Sequence, residues 1–278
     1  MSSIRKILGI VALVAAVIYF GLPPTLRAMG FHPHHAIPEF DLAGHRALIV
    51  TTSHDTLGEK GRATGVFGSE MTVPYYAFLD AGLEVDIASI EGGEIPVEPW
   101  SMTWPLATAE DRRFRNDPAA MAMLTNSRAI SQVDPEAYDV IFIAGGWGAA
   151  YDLAQSAELA EVITRANANG AILGSVCHGA LGLVNATDVD GSPLIEGRRV
   201  TGVTDKQVAE LGIQITPKHP ETELRAVDAV FEAETRWRDF FATHTVVDGN
   251  LVTGQNQNSG YETAHRILER LAERTIDP

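Results

Sequence analysis

The stretch AILGSVCHGALGL, Ala171 to Leu183, runs small and apolar residues into Cys177, the single cysteine of the chain, then continues with His178, Gly179 and Gly182. A short continuous apolar run reads as a strand buried on both faces, and the glycines beyond it open a helix. Small residues two before and two after the cysteine, Ser175 and Gly179, meet the steric demand of a strand–nucleophile–helix elbow. Such a turn presents the sulfur to the N-terminus of the next helix, where partial positive charge and free N–H groups favour a thiolate. The pattern therefore predicts a nucleophilic Cys177 that titrates below the free-thiol range, against the plainer reading of a small buried side chain.

Outward from this stretch, strand-like and helix-like segments alternate. RALIVTTS and EVDIASI read as strands, separated by SEMTVPYYAFLDAG, a helix with Ser69 as N-cap and Gly82 as stop. The order repeats in YDVIFIAGG, in AAYDLAQSAELAEVITRANANG closed by Gly170, and in AILGSV. Thr204-x-x-Gln207 has the form of a capping box, HTVVDGNLVTG that of a hairpin, and Ser259-x-x-Glu262 starts a C-terminal helix. Strands alternating with helices of this length predict an α/β domain with a doubly wound parallel sheet, whose ligands bind at the carboxyl ends of the strands. Gly145, Gly146 and Gly148 follow a strand one unit before the cysteine, so their amides can join the His178 N–H in an oxyanion hole.

The 278 residues carry a formal net charge of −15 and no basic stripe, which argues against nucleic acid as a partner. One cysteine forms no intrachain disulfide. Arg5 and Lys6 precede an uncharged run, Ile7 to Leu22, which predicts a membrane-targeting helix. No small-x-small cleavage site follows it, favouring an uncleaved signal anchor over a cleaved peptide. By the positive-inside bias, the large domain lies across the membrane, extracytoplasmic and periplasmic in a bacterium. The expected organisation is a short basic N-terminus (1–6), a transmembrane helix (7–22), a linker (23–40) and a catalytic domain (41–278). His32, His34 and His35 in the linker lack the carboxylate or thiolate spacing of a metal site, so no metal is expected.

FIAGGWGAAYDL and GSVCHGALGLVNA, preceded by GSEMTVPYYAFLDAGLEVDIAS and GGEIPVEPWS and followed by VVDGNLVTGQNQNSG, resemble the ThiJ/PfpI family of the class I glutamine-amidotransferase-like superfamily. The similarity is greatest to the branch of heat-shock-induced chaperones and glyoxalase III enzymes, and it implies a flavodoxin-like fold. Carried over by position, Cys177 matches the nucleophile, His178 the adjacent histidine and Glu70 the acid beneath the thiol. Asp205, or alternatively Glu210, matches the acid that orients the histidine. Trp147 stands where that branch usually has a histidine, beside the oxyanion residue Gly146. Neither His244 nor His265 begins the His-x-Glu pair of glutamine amidotransferases, so ammonia transfer is disfavoured.

The resemblance implies a glyoxalase III-type enzyme that needs no cofactor and converts small 2-oxoaldehydes to hydroxy acids. A cysteine amidohydrolase or peptidase is the second enzymatic reading, and a membrane-anchored holdase or redox sensor the third. A homodimer is an assembly the resemblance leaves open.

Overall fold

The computed structural model describes residues 2–59 and 61–276. One seven-stranded sheet contains β1 (Arg46–Thr51), β2 (Glu84–Ser89), β3 (Arg128–Ala129), β4 (Val140–Ile143), β5 (Ile172–Val176), β6 (Thr245–Asp248) and β7 (Leu251–Gly254), all but the two-residue β3 built from the strand-like segments. They lie in the order β6-β7-β5-β4-β1-β2-β3, all neighbours parallel except the β6–β7 hairpin. Alternation across the pleat sends Ile49 and Phe142 to one core and Leu48 and Ile141 to the other. Both faces are therefore covered, as a parallel sheet requires.

The helices that matter for the site are α1 (Ser2–Met29), α2 (Gly68–Asp80), α3 (Ala109–Arg115), α4 (Ala157–Ala168), α5 (Asp205–Leu211), α6 (Pro220–Ala226) and α7 (Gly260–Ile276). α2 and α7 pack together on the Ile49 face, and α4 supplies Leu159 and Ile163 to the other.

Three local expectations need correction. Phe67, not Ser69, occupies the N-cap of α2, where no side chain caps the helix, and Ser69 lies buried in the first turn. Only half of the capping box at α5 forms: the Thr204 hydroxyl accepts from the Gln207 N–H, while the Gln207 side chain accepts from Asn256. The helix proposed between Gly148 and Gly170 is broken, with a turn at Leu153–Gln155 before Ser156 caps α4.

The apolar N-terminal run extends further than its hydropathy suggests. α1 continues through Pro23 and Pro24 to Met29, so the linker begins later than residue 23. Proline has no N–H, and Pro23 leaves the Tyr19 carbonyl without its helical donor. The Trp104 indole N–H takes that place at 3.1 Å, and its ring stacks on Tyr19 with centroids 5.3 Å apart. Within the span Ile4–Met29 an 18-residue window has a mean hydropathy of 2.2, and that window is unburied by the rest of the chain. By length and composition this helix is a candidate membrane span.

Candidate active site

β5 delivers Cys177 to the carboxyl edge of the sheet, and the chain reverses there. Cys177 has φ 59°, a left-handed conformation that an L-residue with a side chain adopts only under constraint. The turn that follows, Cys177–Leu183, is a 3-10 helix rather than the α-helix its glycines suggest. Close packing explains the glycine two residues on: a Cβ on Gly179 would lie 2.1 Å from the Ile143 carbonyl oxygen of β4. The elbow thus fits because residue 179 has no side chain.

Glu70, in the first turn of α2, is 1% exposed and reaches the same point. A Cβ on Gly145 would lie 2.6 Å from Glu70 Oε2 and 2.7 Å from the His178 nitrogen, so the missing side chain at 145 lets the carboxyl and the elbow approach. Gly146 adopts φ 107°, with its would-be Cβ 2.3 Å from the Gly65 carbonyl oxygen. The backbone N–H groups of Gly146 and His178 both turn toward the Cys177 sulfur and draw its ionisation downward.

The electrostatics of the pair differ from the sequence expectation. Burial pushes the Cys177 thiol well above its ordinary value, and the charge of Glu70 pushes it further, outweighing the two amides. A seven-residue 3-10 turn offers little dipole to offset this. Burial likewise raises Glu70 to about 8, against hydrogen bonding with Cys177 and Gly145. Two buried acids that share one pocket lose their protons in steps that belong to the pair.

His178 is fully buried, with Nδ1 3.4 Å from the Cys177 sulfur. Burial and nearby His219 lower it to about 3, so it is neutral at physiological pH. Neither acid assigned to orient it does so. Thr204 is the cap of α5, which makes Asp205 the first helical residue, exposed and held by the Thr222 hydroxyl at 2.8 Å. Glu210 accepts the Asp239 N–H at 2.8 Å. The face of α5 that enters the core around Cys177 carries Val208 instead. His219, at the N-cap of α6, is the ionisable neighbour of His178 that the sequence reading missed. α6 packs on the elbow turn, and nothing in PKHPETEL marks that contact beforehand.

Trp147 is half-buried beside the amide loop, and the Arg62 guanidinium lies 5.0 Å above its ring. Arg62 lies on a two-residue strand, Arg62–Ala63, paired antiparallel with Thr56–Leu57. Next to that strand Thr64 donates to Glu98 at 2.6 Å, and burial raises Glu98 to about 7. Of the linker histidines, His35 contacts His265 at 2.8 Å. Among the described residues, no three His, Cys, Asp or Glu side chains gather as a metal site would need.

Comparison with known proteins gives the same outline. Residues 62–270 match the model of the DJ-1/PfpI family. The chain is 30% identical to Glyoxalase 3 of Candida albicans, over 80% of this chain and 95% of that protein. It is also 30% identical to the glutathione-independent glyoxalase HSP31 of Saccharomyces cerevisiae, over 83% of this chain and 99% of that protein. Among solved structures, Rapid Encystment Protein 24 kDa of Francisella tularensis superposes with a TM-score of 0.76 at 30% identity, covering 82% of this chain and 99% of that one. Glyoxalase III of Candida albicans superposes with a TM-score of 0.72 at 27% identity, covering 81% and 97%. With its parallel-dominated α/β sheet and a family match over most of its length, the chain belongs to the DJ-1/PfpI family.

Proposed function

We propose that the protein is a glutathione-independent glyoxalase acting on small 2-oxoaldehydes such as methylglyoxal, with Cys177 as nucleophile and Glu70 as proton carrier. The observation that carries this reading is the buried Glu70–Cys177 pair at the elbow, with Glu70 raised to about 8. A carboxyl with that value exchanges protons near neutral pH, whereas His178, at about 3, is too weak a base to do so.

The active form holds one proton between the two groups. With that proton on the thiol, the Glu70 carboxylate takes it as the Cys177 sulfur adds to the aldehyde carbon and passes it to the new oxyanion, giving a hemithioacetal. The Gly146 and His178 amides steady the oxyanion as it forms. The Glu70 carboxylate then removes the hydrogen from C1 and returns it to C2, while the hydroxyl proton passes from the C1 oxygen to the C2 oxygen. C1 is oxidised to a thioester and C2 reduced to an alcohol, so no external electron carrier is consumed. Water cleaves the thioester and releases the 2-hydroxy acid and free Cys177. His178 keeps the sulfur in place as a neutral contact, and Trp147 with Arg62 shapes the loop beside it.

We also read α1 as a membrane anchor, on the strength of its length, hydropathy and the Arg5-Lys6 pair before it, with the catalytic domain outside the cytoplasm. Intact-mass analysis of an acid-quenched single turnover tests the chemistry: methylglyoxal should leave an adduct on Cys177 that Cys177→Ala lacks. Turnover with no adduct at any quench time would remove the covalent step.

A further inference from the structure

One cavity shares no lining residue with the Cys177 site. It measures about 760 Å³ and opens where α1 meets the domain. Tyr19 and Pro23 line its α1 side, at the end of the uncharged run, and Trp104 closes it from the domain by stacking on Tyr19. In a helix that spans a membrane, this is the level at which hydrocarbon gives way to headgroups, where tyrosine and tryptophan concentrate.

The charge around the cavity runs against that of the whole chain. Arg27 from the last turn of α1 and Arg112 and Arg115 from α3 line it. Arg112 donates to the Ala107 carbonyl at 3.0 Å, and among the described residues none of the three forms an ion pair. Arg113, between the latter two on the same helix, is bound to Asp80 at 2.7 Å. In a chain with 36 acidic and 21 basic residues, three arginines around one apolar-walled opening without a carboxylate partner make a local anion site. Of the two acids on α3, Glu110 accepts a short hydrogen bond from Tyr261, and Asp111 accepts from the Thr72 hydroxyl and the Thr108 N–H.

We propose that this cavity binds an anionic phospholipid of the leaflet that α1 leaves, with Arg27, Arg112 and Arg115 on the headgroup phosphate and the acyl chains along the Tyr19 side of α1. The lipid would fix the domain's orientation on the membrane by bridging α1 and α3. This inference rests on the reading of α1 as a membrane span.

The test uses the full chain in nanodiscs of equal phosphatidylcholine and phosphatidylglycerol, with lipids that stay bound on ejection counted by native mass spectrometry. Wild type should retain phosphatidylglycerol several-fold over phosphatidylcholine. Arg112→Gln/Arg115→Gln should bring that ratio close to one, since each cation near an anionic surface contributes about fivefold. Arg112→Lys/Arg115→Lys, which keeps the charge, should retain most of the preference and guards against a folding defect. Equal retention of both lipids by wild type, an unchanged ratio in the glutamine variant, or full displacement by millimolar inorganic phosphate would each overturn the lipid site. Flotation with neutral vesicles after alkaline washing reads the spanning helix separately: a chain that washes off refutes the membrane reading, and one that floats but shows no lipid preference refutes only the site.

Discussion

At Cys177 the local sequence and the tertiary structure agree because the constraint is steric and short-range. Ser175 and Gly179 flank a residue at φ 59°, and Gly179 abuts the Ile143 carbonyl. Gly179→Ala should therefore destabilise the fold by about 1–3 kcal/mol and disorder the elbow, a change that denaturant melts with parallel activity assays will detect. Ionisation was not legible in the same residues, since the thiol's value depends on how deeply the fold buries it. The Glu70 value yields two pH predictions. The rate should climb as pH rises from 6 through about 8, as the pair gives up its first proton, and Glu70→Gln should lose this limb along with most of the activity. Stability should move the other way. The folded chain holds the Glu70 proton up to about 8, whereas the unfolded chain releases it near 4.5, so the native state binds the additional proton between those values. Raising pH through that window must then cost stability, and melting temperatures of wild type should fall relative to Glu70→Gln between pH 5 and 8. Asp205, Glu210 and His219 were not legible at this scale, because which of them faces His178 is set by the rotation of α5 and the docking of α6.

Elements with long apolar runs announced themselves, and short or unusual ones did not. β1, β2, β4, β5 and the β6–β7 hairpin follow from their own residues, but β3 is two residues long and exists only because β2 offers it an edge. The break before α4 is set by Ser156, which caps the following helix through the Leu159 N–H. α1 runs through two prolines because Trp104, about eighty residues on in sequence, satisfies the Tyr19 carbonyl, a long-range contact no window of sequence contains. At α5 the Thr204 hydroxyl accepts from the Gln207 N–H. Thr204→Ala should cost about 1 kcal/mol as a lost N-cap. If α5 and α6 brace the elbow only as packing, the catalytic pH profile of that variant will keep its wild-type midpoint while its denaturation midpoint drops.

For the whole molecule, a sheet covered on both faces places one buried acid pair at the edge where β4 and β5 end, and an apolar helix precedes it in the chain. The family match runs from residue 62 to residue 270 and leaves α1 outside it. The net charge of −15 leaves the arginines beside α1 as the local exception. On the function proposed above, this chain converts a 2-oxoaldehyde to a 2-hydroxy acid through Cys177 without glutathione. Quantifying lactate formed from methylglyoxal by the full chain in glutathione-free buffer, beside Cys177→Ala, tests it most directly. Wild type should form lactate in one-to-one proportion to the methylglyoxal consumed, and the variant none above background. Consumption without lactate, or equal lactate from Cys177→Ala, would contradict it.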